Sequence, residues 1–452
     1  MGNEQHNPGN ELSGIFLVQR FLVAKEWLER AYRHHVCRYG DYHERDYRLV
    51  VRVTAIASFL TLSILVTCVA RTRYLRYDEQ NQVLSSQQLL AQGDYAGAAA
   101  SAGWALALNG TDPAACRVMA DSASLAHLPT ELFWVQRLAD VAPTTENRLR
   151  LVETALRCQT APFPVASVVL TELAENGANN PAFHMLAGQL AMGLHQPAEA
   201  EAQFSMALHL DPANPQYALS LASLQLQSSN QAVKKQALQR LENLSLDNSI
   251  GGAALRVLVG DRQAMGDYVA ANQYSDQLLA SPQVTMADRL QNLEILNRIN
   301  QDAFTERLRQ VMDMAANQAT LVAELSTWMQ ANGLAAENLD WLGNLPKSIR
   351  AEQSYKMALA QAYLQTGKWQ AMLDFGNRDN WSDQDFLRLA MISRAWAQLG
   401  VPTVAQSNWG EAVKKAGDHY EAMTNLLVLA ERWQLPDAQQ ELRQRILQLA
   451  PQ

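Results

Sequence analysis

Residues 181–214 read PAFHMLAGQLAMGLHQPAEAEAQFSMALHLDPAN. Two helical runs flank a short turn. Small residues stand at Gly188, Ala200 and Ala207, and one large aromatic residue stands at Phe204. Working outward, glycines that end one helical run and precede another test whether this unit recurs. Gly93 sits in LLAQGDYAGA, Gly266 in RQAMGDYVAA, Gly333 in WMQANGLAAE, Gly367 in AYLQTGKWQA and Gly400 in AWAQLGVPTV. Their separations are whole multiples of about 34 residues, a period that marks stacked helix pairs.

The stretch resembles the tetratricopeptide repeat. Gly188, Ala200, Phe204, Ala207 and Pro212 fall on that family's small, aromatic and proline positions. His184 and Ala191 replace its first-helix aromatic and its tyrosine. The physics of the pattern is direct. Two antiparallel helices cross closely where Gly188 meets Ala200 and Ala207, Phe204 fills the wedge toward the next pair, and Pro212 stops the second helix. Residues 386–419 repeat the pattern with Ser393, Trp396, Gly400, Ala405, Trp409 and Ala412. Residues 79–113 do so with Gly93, Tyr95, Ala98, Ala102 and Ala105. Carrying the phase along the chain predicts about eleven units over residues 79–452.

Several units depart from the pattern. Residues 215–247 contain an insertion-like SSNQAVKK. Residues 283–350 keep helical spacing but few signature residues, and APFPVAS in residues 148–180 reads as an inter-helix turn. The resemblance implies an all-α, right-handed solenoid whose first helices line a concave surface for partner peptides or helices. It is nearly silent on function.

Before the repeats lies an uncharged stretch, Val53–Ala70, VTAIASFLTLSILVTCVA. As a helix it would be about 27 Å long, close to the hydrocarbon thickness of a bilayer. It lies too far from Met1 for an ordinary cleaved signal peptide, so an uncleaved single-pass anchor is expected. Arg33, Arg38, Arg45, Arg48 and Arg52 precede it, whereas Arg71, Arg73 and Arg76 follow. That bias predicts a cytoplasmic N-terminal tail, residues 1–52, with the array on the far side, periplasmic in a bacterium. Within the tail, residues 12–36 have the spacing of an amphipathic helix suited to an inner leaflet or a partner.

Composition narrows the function. The chain has 452 residues, 48% hydrophobic and 18% charged, with net charge −8. Residues 1–76 carry 11 Lys/Arg against 7 Asp/Glu, and the remaining 26 face 38 in residues 77–452. A body this acidic argues against nucleic acid and steers toward basic partner segments. Four cysteines do not make a disulfide scaffold. Cys116 and Cys158 read as small apolar core residues, with a bridge between them open if the array is exported. His34, His35, Cys37 and His43 cluster before the span. They lack a matching ligand pair elsewhere, so a basic juxtamembrane segment is the stronger reading. Asn109-Gly-Thr111 and Asn380-Trp-Ser382 match glycosylation sequons, a pattern that also arises by chance.

No nucleophile elbow, zinc-ligand helix or phosphate loop occurs. GDYAGAAASAG, residues 93–103, has no strand before it and so is no dinucleotide loop. No catalytic residue, cofactor or metal is expected, and the protein is not expected to be an enzyme. Nine tryptophans, from Trp104 to Trp433, fall in the array and read mainly as helix packing. The leading expectation is a membrane-anchored scaffold for partner proteins, whose docking residues the sequence leaves unnamed. The alternatives are a self-assembling structural protein and a non-catalytic regulatory subunit of a membrane enzyme.

Overall fold

A computed structural model describes residues 44–449 other than Asp379, together with Glu26 and Arg30. Of residues 44–51 and Asn176 it describes the backbone alone. The helix expected over residues 12–36 lies outside the described residues, apart from Glu26 and Arg30, which form an exposed ion pair at 3.2 Å. His34, His35, Cys37 and His43 also lie outside them. Every regular element among the described residues is a helix. The chain divides into two compact units, Met1–Gly177 and Ala178–Gln452.

The first unit holds α1 (Glu44–Ala91), α2 (Tyr95–Leu108), α3 (Pro113–Leu125), α4 (Glu131–Val141), α5 (Thr145–Cys158) and α6 (Pro164–Gly177). No glycine or proline interrupts the sequence between Glu44 and Ala91, and α1 runs unbroken for 48 residues. The apolar stretch and the first helix of the array are therefore one helix. Its two stretches differ in what they touch. Val53–Ala70 is bare, with Phe59 72% exposed. Farther along, Val83 and Ser86 are buried, and Val83 packs with Ala98, Ala102 and Ala105 of α2 and with Ala115 and Val118 of α3. Three alanines at i, i+4, i+7 give α2 a flat face, which lets it lie close along α1. Asn109 Nδ2 donates to Glu79 Oε1 at 2.8 Å and ties the end of α2 back to α1. Asp94, Asp112 and Thr144 cap the helices that follow them.

Of the APFPVAS stretch, residues 161–163 complete the turn between α5 and α6, and Pro164 opens α6. The open possibility of a Cys116–Cys158 bridge is corrected: both thiols are free. Cys116 is fully buried against Ala120, Val135 and Leu138, while Cys158 ends α5 exposed. Burial pushes the Cys116 thiol above its ordinary pKa, against the opposing pull of Arg137.

The second unit continues with α7 (Pro181–Gly193), α8 (Pro197–Leu210), α9 (Pro215–Gln225), α10 (Gln231–Leu244), α11 (Gly251–Ala264) and α12 (Tyr268–Leu279). Then come α13 (Met286–Ile299), α14 (Gln301–Ala315), α15 (Ala319–Ala331), α16 (Ala335–Gly343) and the single-turn α17 (Lys347–Arg350). The last are α18 (Gln353–Gln365), α19 (Trp369–Gly376), α20 (Asp385–Gln398), α21 (Pro402–Ala416), α22 (Tyr420–Arg432) and α23 (Pro436–Leu449). Apart from the single-turn α17, the described helices form three successive pairs in the first unit and eight in the second.

In the best-matched repeat, Ala200 and Ala207 are fully buried, and Phe204 packs with Met185 of α7 and with Tyr217 and Leu221 of α9. Phe204 thus fills the wedge toward the next pair. One detail differs from expectation. A Cβ on Gly188 would meet the Phe204 ring at 2.4 Å, so the aromatic ring, rather than Ala200 and Ala207, is what Gly188 makes room for. SSNQAVKK is no insertion within a helix: it is a turn followed by the start of α10, which Asn230 caps through the amides of Ala232 and Val233. In α20, the Ser393 hydroxyl donates to the Ala405 carbonyl at 2.7 Å, a direct mark of close approach.

The turns explain the period. Gly93, Gly266, Gly333, Gly367 and Gly400 all have left-handed φ, between 67° and 82°. Each ends a first helix, where a residue with φ above zero releases the chain into the second. His127, His195 and Gln434 adopt the same conformation, at 52°, 58° and 57°, on the same period.

Candidate interaction groove

Four consecutive first helices of the second unit, α15, α18, α20 and α22, border a trough of about 460 Å³. They come side by side because each pair stacks on the next with about the same offset in sequence. Thr327, Gln361 and Arg394 stand six residues before Gly333, Gly367 and Gly400, so all three project from one level of successive pairs. Ala331, Gln365 and Arg432 stand two residues before their own turns and line the same trough. A second depression, of about 540 Å³, shares Thr327 and Gln361 and extends the surface to Gln353, Ser354 and Gln384.

The floor of the first trough is mainly apolar, from Leu364, Trp369, Met391, Leu429 and Trp433, with the amides of Gln330, Gln361 and Gln365 set among them. Gln365 Nε2 donates to the Gln330 carbonyl at 2.9 Å and fixes α18 against α15. Gln353 Nε2 donates to Gln384 Oε1 at 3.3 Å. The charged groups lining the first trough are Arg394 and Arg432, and no carboxylate lines it. The Arg394 guanidinium lies over the Trp433 ring, 5.8 Å from its centroid. Trp433 in turn meets Trp409 edge to face at 6.3 Å. Stacking on an aromatic face holds a guanidinium in one place while leaving its in-plane donors free. Neither arginine has an ion pair among the described residues. Of the nearby carboxylates, Glu431 pairs with Arg443 and Glu441 with Arg445, both at 2.7 Å, while Asp437 shares a neighbouring depression with Arg394 and has no ion pair among the described residues. Asp385 is bound by Arg388 and by the Trp381 amide, which outweigh its burial and hold its pKa below the ordinary range.

The tryptophans divide between roles. Trp341 and Trp381 are buried, as the packing expectation requires. Trp369 and Trp433 line the trough, and Trp104 is 69% exposed. The body is acidic as a whole, whereas the first trough presents two cations. Arg394 and Arg432 did not stand out in the sequence. Their distance from the repeating turn was the available signal, but the lack of an ion-pair partner depends on the folded arrangement. Among the described residues no group of three His, Cys, Asp or Glu is placed to hold a metal ion. His184 is buried with both ring nitrogens engaged, by Gln203 Oε1 at 2.7 Å and the Ala178 carbonyl at 3.0 Å.

No family model matches the chain, and no curated protein matches it. Among solved structures, pilF of Pseudomonas aeruginosa is 15% identical over 50% of this chain and 99% of its own, with a TM-score of 0.37. The Cut9–Hcn1 hetero-tetramer of the APC/C is 12% identical over 82% of this chain and 79% of its own, at 0.31. The human IFIT1 dimer with m7Gppp-AAAA is 13% identical over 74% and 90%, at 0.33. These are weak superpositions, and the fold description rests on the helices of this chain.

Proposed function

We propose that this protein is a membrane-anchored, non-catalytic scaffold that holds a segment of a partner protein in the trough across α15, α18, α20 and α22. The observation that carries the reading is the trough itself: a mainly apolar floor with amide side chains from successive helices, and Arg394 and Arg432 without ion pairs at one end. Glutamine offers both donors and acceptors, which suits the backbone of an extended chain. The free arginines favour a partner segment that is acidic at that end. Charges beyond about 8 Å are screened at physiological salt, so the nearest groups outweigh the acidity of the whole body. Two cations within an acidic body are too few to hold a nucleic-acid backbone, where affinity grows with each phosphate neutralised.

Anchoring follows from α1. Its apolar stretch has a mean hydropathy of 2.2 and is 0% buried, and the helix is long enough to cross a bilayer. The arginine bias places the N-terminus in the cytoplasm and the array outside it. Protease added to spheroplasts should then digest the array and spare residues 1–52; protection until lysis reverses this topology. A photo-crosslinking residue at Gln361 of the full chain tests the trough in intact membranes. It should capture a discrete protein that the Arg394→Glu/Arg432→Glu variant fails to capture. Equal capture by both would refute docking in the trough.

A further inference from the structure

Between the apolar stretch of α1 and its first tie to the rest of the fold lie residues 71–78, RTRYLRYD. The first tie is the Glu79–Asn109 hydrogen bond. The intervening two turns are helical, and nothing in the fold covers them: Tyr74 and Tyr77 are 68% and 65% exposed. Arg71, Arg73 and Arg76 are exposed too, with no ion pair among the described residues. Exposed aromatic rings and unpaired guanidinium groups on an unpacked helix gain little in water, where helical stability comes mainly from packing.

The geometry points to an occupant, and we propose that residues 71–77 form a collar that binds the phosphate headgroups of anionic phospholipids. The inference rests on the membrane reading of α1. Each residue adds about 1.5 Å, so the collar reaches about 11 Å beyond the hydrocarbon edge and covers the headgroup layer of that leaflet. Tyrosine, apolar along the ring and polar at the tip, belongs at that depth. Arginine matches phosphate bidentately and keeps its charge. The arginines also stand where topology does not call for them, since orientation is set by an excess on the opposite flank. Lipid phosphate, rather than free phosphate, is the occupant because the collar encircles a helix that is continuous with the apolar stretch. Its consequence is positional: the collar sets the height of the first repeat above the membrane.

The test uses the full chain with a photo-crosslinking residue at Tyr77, in vesicles of equimolar phosphatidylglycerol and phosphatidylcholine. Flotation is scored first, and the lipid attached at residue 77 is then identified by mass spectrometry. Capture of phosphatidylglycerol should exceed that of phosphatidylcholine by about threefold or more, as surface-bound arginines attract anionic lipid. The preference should vanish in Arg71→Gln/Arg73→Gln/Arg76→Gln and persist when the same three become lysine. Flotation with equal capture of both lipids, or with no lipid capture, overturns the collar and leaves the anchor standing. A chain that does not float overturns both.

Discussion

Repeat 181–214 and the stretch 283–350 hold their helices together by different means. In the first, Gly188 leaves room for Phe204, Ala200 and Ala207 are fully buried, and the apolar contact is joined by one polar tie, His184 Nδ1 to Gln203 Oε1 at 2.7 Å. In the second, polar side chains are buried alongside the core. Asp288 caps α13 through Thr285 and accepts from Arg256 Nε and Nη2, both at 2.8 Å. Asn292 Nδ2 donates to Ser275 Oγ at 3.1 Å, and Asn338 Nδ2 donates to Ser326 Oγ at 3.0 Å. Between them, Phe304, Leu308, Leu325 and Met329 form an ordinary apolar core. The family's signature is thus one solution to close helix packing. Polar ties serve where the signature residues are missing: both Asp288 carboxylate oxygens are engaged, whereas Asn292 and Asn338 each bond through Nδ2 and leave Oδ1 buried without a partner among the described residues.

The largest effect should fall on the apolar crossing. Ala207 is fully buried, so Ala207→Trp should cost about 3 kcal/mol, the upper part of the usual overpacking range. Urea unfolding of the full chain in detergent, followed by circular dichroism, measures it; an unmoved midpoint would place Ala207 away from the crossing. On the polar side, Asp288→Ala should cost about 2 kcal/mol, as expected for a charged hydrogen-bond partner lost from a buried site. A smaller loss than at an exposed aspartate such as Asp302 would mean that the tie is dispensable.

The polar side should also respond to acid. Burial raises the pKa of Asp288, but Arg256 and Thr285 outweigh it and leave the carboxyl below its ordinary value. The unfolded chain therefore takes up this proton more readily than the folded chain. The stability contributed by Asp288 is complete above about pH 5 and declines as pH falls through about 4 and toward the lower folded value. Asp288→Asn should flatten that decline in a pH series of unfolding midpoints, whereas Ala207→Trp should leave its slope unchanged. Equal slopes in wild type and Asp288→Asn would show that the pair contributes nothing to acid sensitivity.

The smallest effects concern the turns, and they should have opposite signs. Gly400→Ala should destabilise by about 1 kcal/mol, because alanine resists left-handed φ. His195→Gly should stabilise by about 0.5 kcal/mol, since relief of strain slightly exceeds the added freedom of the unfolded chain. Unfolding midpoints of the two variants decide it, and shifts of the same sign would mean that the turn conformation does not control stability there.

These contrasts show why part of the architecture could be read from sequence. Gly93, Gly266, Gly333, Gly367 and Gly400 announce the period because a left-handed turn favours glycine. His127, His195 and Gln434 make the same turn at modest cost, and a non-glycine turn leaves no mark in a sequence. Phe204 and Ala207 are legible because packing restricts their size. Thr327, Gln361 and Arg394 share a phase but no chemistry, because the trough face is free of packing and each repeat varies there independently. The Arg256–Asp288 tie joins residues of adjacent pairs whose facing depends on stacking. The apolar stretch of α1 was plain from hydropathy. Its continuity with the first repeat followed from the absence of glycine and proline, but a boundary drawn at residue 79 divides what the fold leaves whole.

Under the membrane reading proposed above, that undivided helix makes α1 a lever arm. From the middle of the apolar stretch to Ala91 is about 43 Å of helix at 1.5 Å per residue. Transmembrane helices tilt by about 20° on average, and such a tilt displaces the far end of this arm sideways by about 15 Å. A thinner bilayer increases tilt and a thicker one reduces it. With no joint between the arm and the repeat built on it, α2 and α3 would swing with α1. Membrane thickness would then be read out as the direction in which the first repeat faces.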